Sequence, residues 1–498
     1  MSFLAALKRD HRSAVPSLPT TPSRRKFLIL ALLGVASIEF VVRGPVRFAG
    51  EDFGWNDFIA PFVQSKAWLH GSDPYSPEEL VRRWPADAVQ FAFLKKDLAD
   101  GTLVAKRGVP SPYPPTTFAL LAPLALLPWR VAHGVWLLLI LASFASIVGS
   151  MVSISGFRWD EPHTLAIVAA MLALAPFHTA IATGNIVLPA FACGMAGVWA
   201  ANRNHSILAG ILVALSACLK PPVGLLFLGY YLIHRQWRIG LVSTVTGCAI
   251  SAVAIGRLLL TRARWLPTYA ADTASLFSRG AINDFTTANP LRFHLLNLQM
   301  PLYSLLGSDS AANEIAWAAA AILLVVALGV VVRRDSGNQL LQLSALMIIA
   351  ILPVYHRFVD AVIIALPVCW ALSDRRQSVT FIRSLVLVSA APFLIPGPAL
   401  MDTAARQYLI PSSVISSWWW QVILLPHQAW TAFFMAVLLL VGMVVEHFRE
   451  PSATAKSLSP DLLSAISAGS ATPRRKMPPR FCPGLRRNVP SLQSARER

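Results

Sequence analysis

The chain has 498 residues, of which 55% are hydrophobic and 14% charged, with a mean hydropathy of +0.56. A soluble domain has no means of hiding so much apolar surface, and a β-barrel would instead alternate in segments of about ten residues. The formal net charge of +18 does not point to nucleic acid, because Lys and Arg gather at the ends of apolar runs and in the termini, where topology and anionic lipid place them. The composition therefore predicts an all-α polytopic membrane protein.

Residues 1–26 are polar and basic and end in Ser23-Arg24-Arg25-Lys26. The run 27–42 then reads as a first membrane span. A cleaved signal peptide is the competing reading, but the leader is long and no small-x-small pattern follows closely. Residues 44–130 form a long excursion. In it, Phe58, Phe62 and Leu69 share one helical face while Gln64 and Lys66 point elsewhere, and Gly71 with Asp73-Pro74 ends the pattern. This predicts an amphipathic helix lying in the membrane interface. Residues 113–128 are apolar, short and rich in proline, so they read as a re-entrant segment on the outer side.

Short connections carrying Arg203, Arg235/Arg238, Arg333/Arg334 and Arg375/Arg376 belong in the cytoplasm by the positive-inside rule. Counting from them gives about twelve spans: 27–42, 131–153, 164–181, 185–201, 206–219, 222–234, 238–259, 312–332, 339–354, 358–373, 379–397 and 428–446. Both termini would then be cytoplasmic. The organisation expected is a basic segment 1–26, a membrane domain 27–446 with external loops 44–130 and 260–311, and a disordered basic tail 447–498. Cys193, Cys218, Cys248 and Cys369 fall in apolar runs and Cys482 in the tail, so neither a disulfide framework nor a zinc site is implied.

A few polar residues stand out at the expected outer rim. Asp57 lies just outside the first span. It is placed either to cap the helix that follows or to take a proton from a hydroxyl at the bilayer surface, and the two roles are compatible; Asp52 competes for the second. Lys220, in Leu219-Lys220-Pro221-Pro222, either snorkels or binds a phosphate. His356 and Asp360 are four apart and would share a helix face. His356 is an interface anchor or a donor to a phosphate, and Arg357 is a clamp for one. Asn185 sits in a Gly-Asn turn. Asn289 and Arg292 belong to the loop 260–311, which is either a lid or a structured connection. No glycine-rich phosphate loop, dinucleotide fingerprint or HExxH motif is present.

Together these residues resemble glycosyltransferase family 87, the bacterial mannosyltransferases that use polyprenyl-phosphate mannose. The resemblance rests on Asp57-Phe58, then Gly71-Ser72-Asp73-Pro74-Tyr75, then Tyr113-Pro114-Pro115 with Pro123, Pro128 and Trp136. It continues through Gly184-Asn185, Ala209-Gly210, Leu219-Lys220-Pro221 and His356, and covers about residues 27–445. Asn185 stands where glutamine is frequent, and Pro61 interrupts the usual run after the aspartate. The resemblance implies a GT-C fold, Asp57 as the catalytic aspartate, and His356 as a functional histidine near the donor phosphate. Lys220 and Arg357 would bind that phosphate, with Asn185, Tyr75, Tyr113, Asn289 and Arg292 as substrate-binding candidates. The enzyme expected is a hexosyltransferase of the bacterial cytoplasmic membrane, working on its outer side with inversion. It would need no cofactor or metal, since cationic side chains can neutralise the phosphate. Its partners would be the bilayer, a polyprenyl-phosphate sugar and a glycolipid or polysaccharide acceptor, not nucleic acid. A lipid-linked glycan flippase or a glycan polymerase is the alternative; the first would carry charge in mid-span, the second a late arginine-rich loop.

Overall fold

The structure, a computed structural model, describes residues 22–50, 57–88, 111–332, 338–373 and 379–449. Asp52, the arginines at 333–334 and 375–376, and the tail from 450 onward lie outside the described residues. In chain order the helices are α1 (Pro22–Arg43), α2 (Pro45–Ala49), α3 (Ile59–Leu69), α4 (Pro77–Arg83), α5 (Pro115–Ala125), α6 (Trp129–Ile154), α7 (Pro162–Ala173), α8 (Ala175–Thr183), α9 (Val187–Asn202), α10 (Ser206–Leu219), α11 (Pro221–Ile233) and α12 (Trp237–Leu260). There follow α13 (Trp265–Leu276), α14 (Gln299–Leu306), α15 (Asp309–Val332), α16 (Gln339–Ile351), α17 (Ala365–Ser373), α18 (Thr380–Ala390), α19 (Gly397–Arg406), α20 (Ser412–Ile415) and α21 (His427–Arg449). Among the described residues there is no strand, only an isolated antiparallel bridge between Leu295 and Arg357.

Six of these segments are long and apolar enough to cross a membrane, or seven when α7 and α8, bent by 52°, count as one. The bend follows Leu174, whose ψ of 113° leaves the helical region. Pro176, in the first turn of α8, has no N–H to continue the ladder. The chain is thus a multi-pass helical membrane protein. The surface agrees: Phe27, Leu30, Val35 and Ile38 of α1 and Leu241, Val245, Val253 and Leu259 of α12 are all more than half exposed. Stripes of that kind suit lipid rather than water.

The expectation of twelve spans meets a length limit. Helices α9, α10, α11 and α16 lie at positions expected to cross, but contain 16, 14, 13 and 13 residues. At about 1.5 Å per residue they reach about 20–24 Å, short of a core about 30 Å thick. Helix α5 is shorter still at 11 residues.

The helix after Asp57 also differs from its sequence pattern. Phe58, Ile59, Phe62, Val63, Gln64, Ser65 and Ala67 are all fully buried, so α3 packs inside the protein against α5 rather than presenting one polar face. The apolar residues wrap most of its circumference, and Gln64 and Ser65 are buried with them while Lys66 stays partly exposed. Its C-terminal end is tied to α12: the Trp68 indole N–H donates to Ala254 O at 2.9 Å, and Arg257 Nε donates to Trp68 O at 2.9 Å. Gly71 follows with φ +69°, and a Cβ there would come 2.3 Å from Thr261 Cγ2. Only glycine satisfies both demands.

Candidate active site

The end of α8 builds the first half of the site. Gly184 terminates α8 in the left-handed region (φ 68°), turning the chain so that Asn185 starts toward α9. The Asn185 Oδ1 accepts from Val187 N at 2.9 Å, fixing its rotamer, while Nδ2 donates to Asp57 Oδ2 at 2.8 Å. The Asp57 backbone N–H donates to Thr183 O at 2.5 Å. Residue 58, not 57, takes the N-cap position of α3, and it makes no side-chain cap. The Asp57 carboxylate is therefore directed to Asn185 instead of to the helix end, and it stays partly exposed.

The second half comes from the connection between α10 and α11 and from the chain after α16. Lys220 is extended (φ −149°, ψ 92°) between α10 and the Pro221-Pro222 start of α11. Its Nζ donates to Asn185 Oδ1 at 3.4 Å and forms an ion pair with Asp360 Oδ1, with side-chain exposures of 13% and 7%. The other Asp360 oxygen faces His356 Nδ1 at 3.1 Å and accepts the Arg357 backbone N–H at 3.3 Å. His356 and Asp360 do meet, but not along a helix. Arg357 is extended (φ −95°, ψ 166°), and Asp360 reaches back from a 3-10 helix, Phe358–Ile364.

One continuous chain of polar contacts results: Asp57, Asn185, Lys220, Asp360, His356. Asn185, His356 and Asp360 are buried, so each contact is shielded from water and electrostatically stronger than on a surface. Arg357 stands beside this chain, where its charge acts on Tyr113, Tyr355 and His294. Asp360 was legible in the sequence only as a partner for His356; in the structure it is the acceptor that gathers Lys220, His356 and the Arg357 backbone.

Tyr113 borders the same place. Its backbone carbonyl accepts the Tyr75 hydroxyl at 2.8 Å. Burial first, and then the negative charges of Asp57 and Asp360, hold its phenol well above the usual tyrosine range, so it remains a protonated donor. Tyr75 thus acts one step away, by holding Tyr113; its own ring packs against Phe118 and Tyr269. Tyr355 is likewise pushed up to about 12 by burial and then by Asp360.

Asn289 and Arg292 are placed differently. Asn289 Nδ2 donates to Ile282 O and Asp284 O, and Arg292 donates to Ser304 Oγ at 3.0 Å and Gln421 Oε1 at 2.9 Å. Both side chains are committed to shaping their loop. That loop in turn aligns the site. Leu296 N donates to His356 O at 2.8 Å and Leu298 N to Leu352 O at 2.9 Å, so residues 295–298 run along 352–357 and fix where His356 and Arg357 point. His294, in the same loop, is held down to about 4, by burial first and then by Arg357 and Arg406.

No curated protein and no solved structure matches the chain. A sequence model of glycosyltransferase family 87 matches residues 112–365, which takes in Tyr113, Asn185, Lys220, His356, Arg357 and Asp360. Asp57 precedes the matched stretch and is joined to it through Asn185. With about half its length under that match, the chain belongs to glycosyltransferase family 87 and is a membrane glycosyltransferase.

Proposed function

We propose that the enzyme transfers a hexose, mannose in the first instance, from a polyprenyl-phosphate sugar to an acceptor hydroxyl on the outer side of the bacterial cytoplasmic membrane. The acceptor is a glycolipid or polysaccharide. The proposed frame is a GT-C fold with twelve passes and cytoplasmic termini, the short helices crossing as parts of a packed bundle.

The observation that carries this reading is the polar chain from Asp57 to His356, because it sets a partly exposed carboxylate and a group of cations at the two ends of one site. In the reaction, the acceptor hydroxyl attacks the anomeric carbon and gives its proton to the Asp57 carboxylate. The bond from that carbon to the phosphate oxygen breaks, and its electron pair leaves with the polyprenyl phosphate. A single displacement of this kind inverts the anomeric centre. Asp57 as general base contributes on the order of 10²–10⁴-fold. Arg357, His356 and the remaining donor of Lys220 stabilise charge growing on the departing phosphate. Asp360 holds Lys220 and His356 in place. Tyr113, protonated, supplies a further hydrogen bond to sugar or phosphate. These side chains carry the neutralising charge, so no metal enters the reaction as written.

The test is transfer by purified protein in lipid vesicles, with radiolabelled polyprenyl-phosphate mannose and a membrane lipid extract as acceptor pool. Wild type transfers label and Asp57→Asn does not. Equal transfer by both proteins would remove Asp57 from the mechanism.

A further inference from the structure

Trp136 of α6 touches both strands of chain that bring the proposed base to its partner. Its side chain is 2% exposed. Its indole N–H donates to Gly184 O at 2.9 Å, the carbonyl immediately before Asn185. Its ring stacks on Phe58, with centroids 4.4 Å apart and planes 9° from parallel, immediately after Asp57. The two segments are also joined directly, by Asp57 N to Thr183 O at 2.5 Å and by Asn185 Nδ2 to Asp57 Oδ2 at 2.8 Å. One rigid bicyclic ring therefore backs both sides of the Asp57–Asn185 hydrogen bond.

We infer that Trp136 is a positioning residue for that pair, setting the direction of the Asp57 carboxylate toward the acceptor hydroxyl without touching substrate. The inference rests on the proposed role of Asp57, but its geometric content does not. The left-handed turn at Gly184 leaves its carbonyl free of the α8 ladder, and a buried carbonyl requires a donor. The Trp136 indole supplies it. Without that bond the turn can rotate, and Asn185 rotates with it. The stacked ring does the same for Phe58, whose rotamer otherwise decides where residue 57 enters α3. Misplacing a catalytic group by about 1 Å costs up to about 10²-fold in rate. His356 and Arg357 make no bond to Asn185, and Lys220 keeps its ion pair with Asp360 when its longer bond to Asn185 Oδ1 is disturbed.

Trp136→Phe removes the N–H and one of the two fused rings while leaving an aromatic ring beside Phe58; Phe58→Leu keeps the N–H bond and removes the stack. In the transfer assay both are expected to lower kcat by about ten- to a hundredfold with KM for the donor unchanged. In an Asn185→Ala background, Trp136→Phe is expected to add no further loss, since it acts through Asn185; a merely structural role would add its full loss there too. A second measurement needs no activity. Cysteines placed by Asp57→Cys and Asn185→Cys are bridged with a short bis-methanethiosulfonate, and bridging is followed by peptide mass spectrometry. Adding Trp136→Phe is expected to slow bridging severalfold. Unchanged bridging, or full additivity with Asn185→Ala, overturns the inference. Slowed bridging in a protein whose transfer is indifferent to Asp57 leaves the geometry standing and overturns the proposed function instead.

Discussion

The side-chain amide of Asn185 donates to the Asp57 carboxylate at 2.8 Å across 128 residues of sequence. This one bond ties the part of the chain matched by the family, residues 112–365, to a carboxylate that precedes it. The Asn185 side-chain oxygen accepts from Lys220 Nζ at 3.4 Å, so a single amide relates the proposed base to the lysine. Asn185→Ala is expected to lower kcat about tenfold or more by releasing the Asp57 carboxylate from its hydrogen bond and so from its direction. Asn185→Asp is expected to be worse, because it sets a second carboxylate against Asp57. Steady-state transfer kinetics on the two variants check this.

The Lys220–Asp360 pair is mostly removed from water, with side-chain exposures of 13% and 7%. Removing one member of such a pair strands the other. Asp360→Leu is expected to destabilise the protein by roughly 3–5 kcal/mol. Lys220→Met is expected to cost less, since Asp360 keeps His356 and the Arg357 N–H as partners. The double variant is expected to cost less than the sum of the singles. Unfolding in mixed micelles with a denaturing detergent measures all three.

Gly224 sets the spacing of α10 and α11, and hence the position of Lys220 between them. A Cβ at 224 would lie 2.0 Å from the backbone N of Ala217, an atom that cannot move aside without moving α10. Gly224→Ala is expected to destabilise by about 1–3 kcal/mol and to raise KM for the donor by displacing Lys220. Gly229→Ala, where nothing lies within 4 Å of the added carbon, is the matched control and is expected to be neutral or slightly stabilising. Melting temperatures and transfer kinetics on the pair separate the two.

Asp272 of α13 predicts a pH dependence. Burial first, and then Asp73, raise its carboxyl to about 7, against the Ser111 backbone N–H, which pulls it down. The folded state thus favours the protonated form more than the unfolded chain does, whose reference value is 3.8. The associated stability is complete below the unfolded value and is lost as pH rises through about 7;. Thermal stability in detergent is expected to fall as pH rises from 3.8 to about 7, by the linkage of one group, and to level off above that. Asp272→Asn, which keeps an acceptor for Ser111 but cannot ionise, is expected to flatten that slope. An identical slope in the variant would assign the effect elsewhere.

The residues that form the site were legible one at a time. Asp57, Lys220, His356 and Arg357 are ionisable groups at the rims of apolar runs, where charge is costly without a purpose, and local sequence suffices to see that. Their pairing was not legible. Asp57 to Asn185 spans 128 positions and Lys220 to Asp360 spans 140, and such contacts depend on how helices pack. For the same reason the sequence misassigned the surroundings of α3. Its pattern suggested a polar face with Gln64, yet Gln64 is fully buried in a helix that packs against α5. Asn289 and Arg292 looked available for substrate, but their bonds go to Ile282, Asp284, Ser304 and Gln421. Trp136 carried a signal of a kind, an indole after a proline-rich segment. Nothing local said that its N–H would meet Gly184.

The most direct test of a single site with a base at one end and phosphate-binding cations at the other is donor binding by Asp57→Asn protein in nanodiscs. With radiolabelled polyprenyl-phosphate mannose, the variant is expected to bind with wild-type affinity while transferring nothing, and Arg357→Ala is expected to lose binding. Asp57→Asn protein that fails to bind the donor, or that binds and transfers as wild type does, would contradict the account.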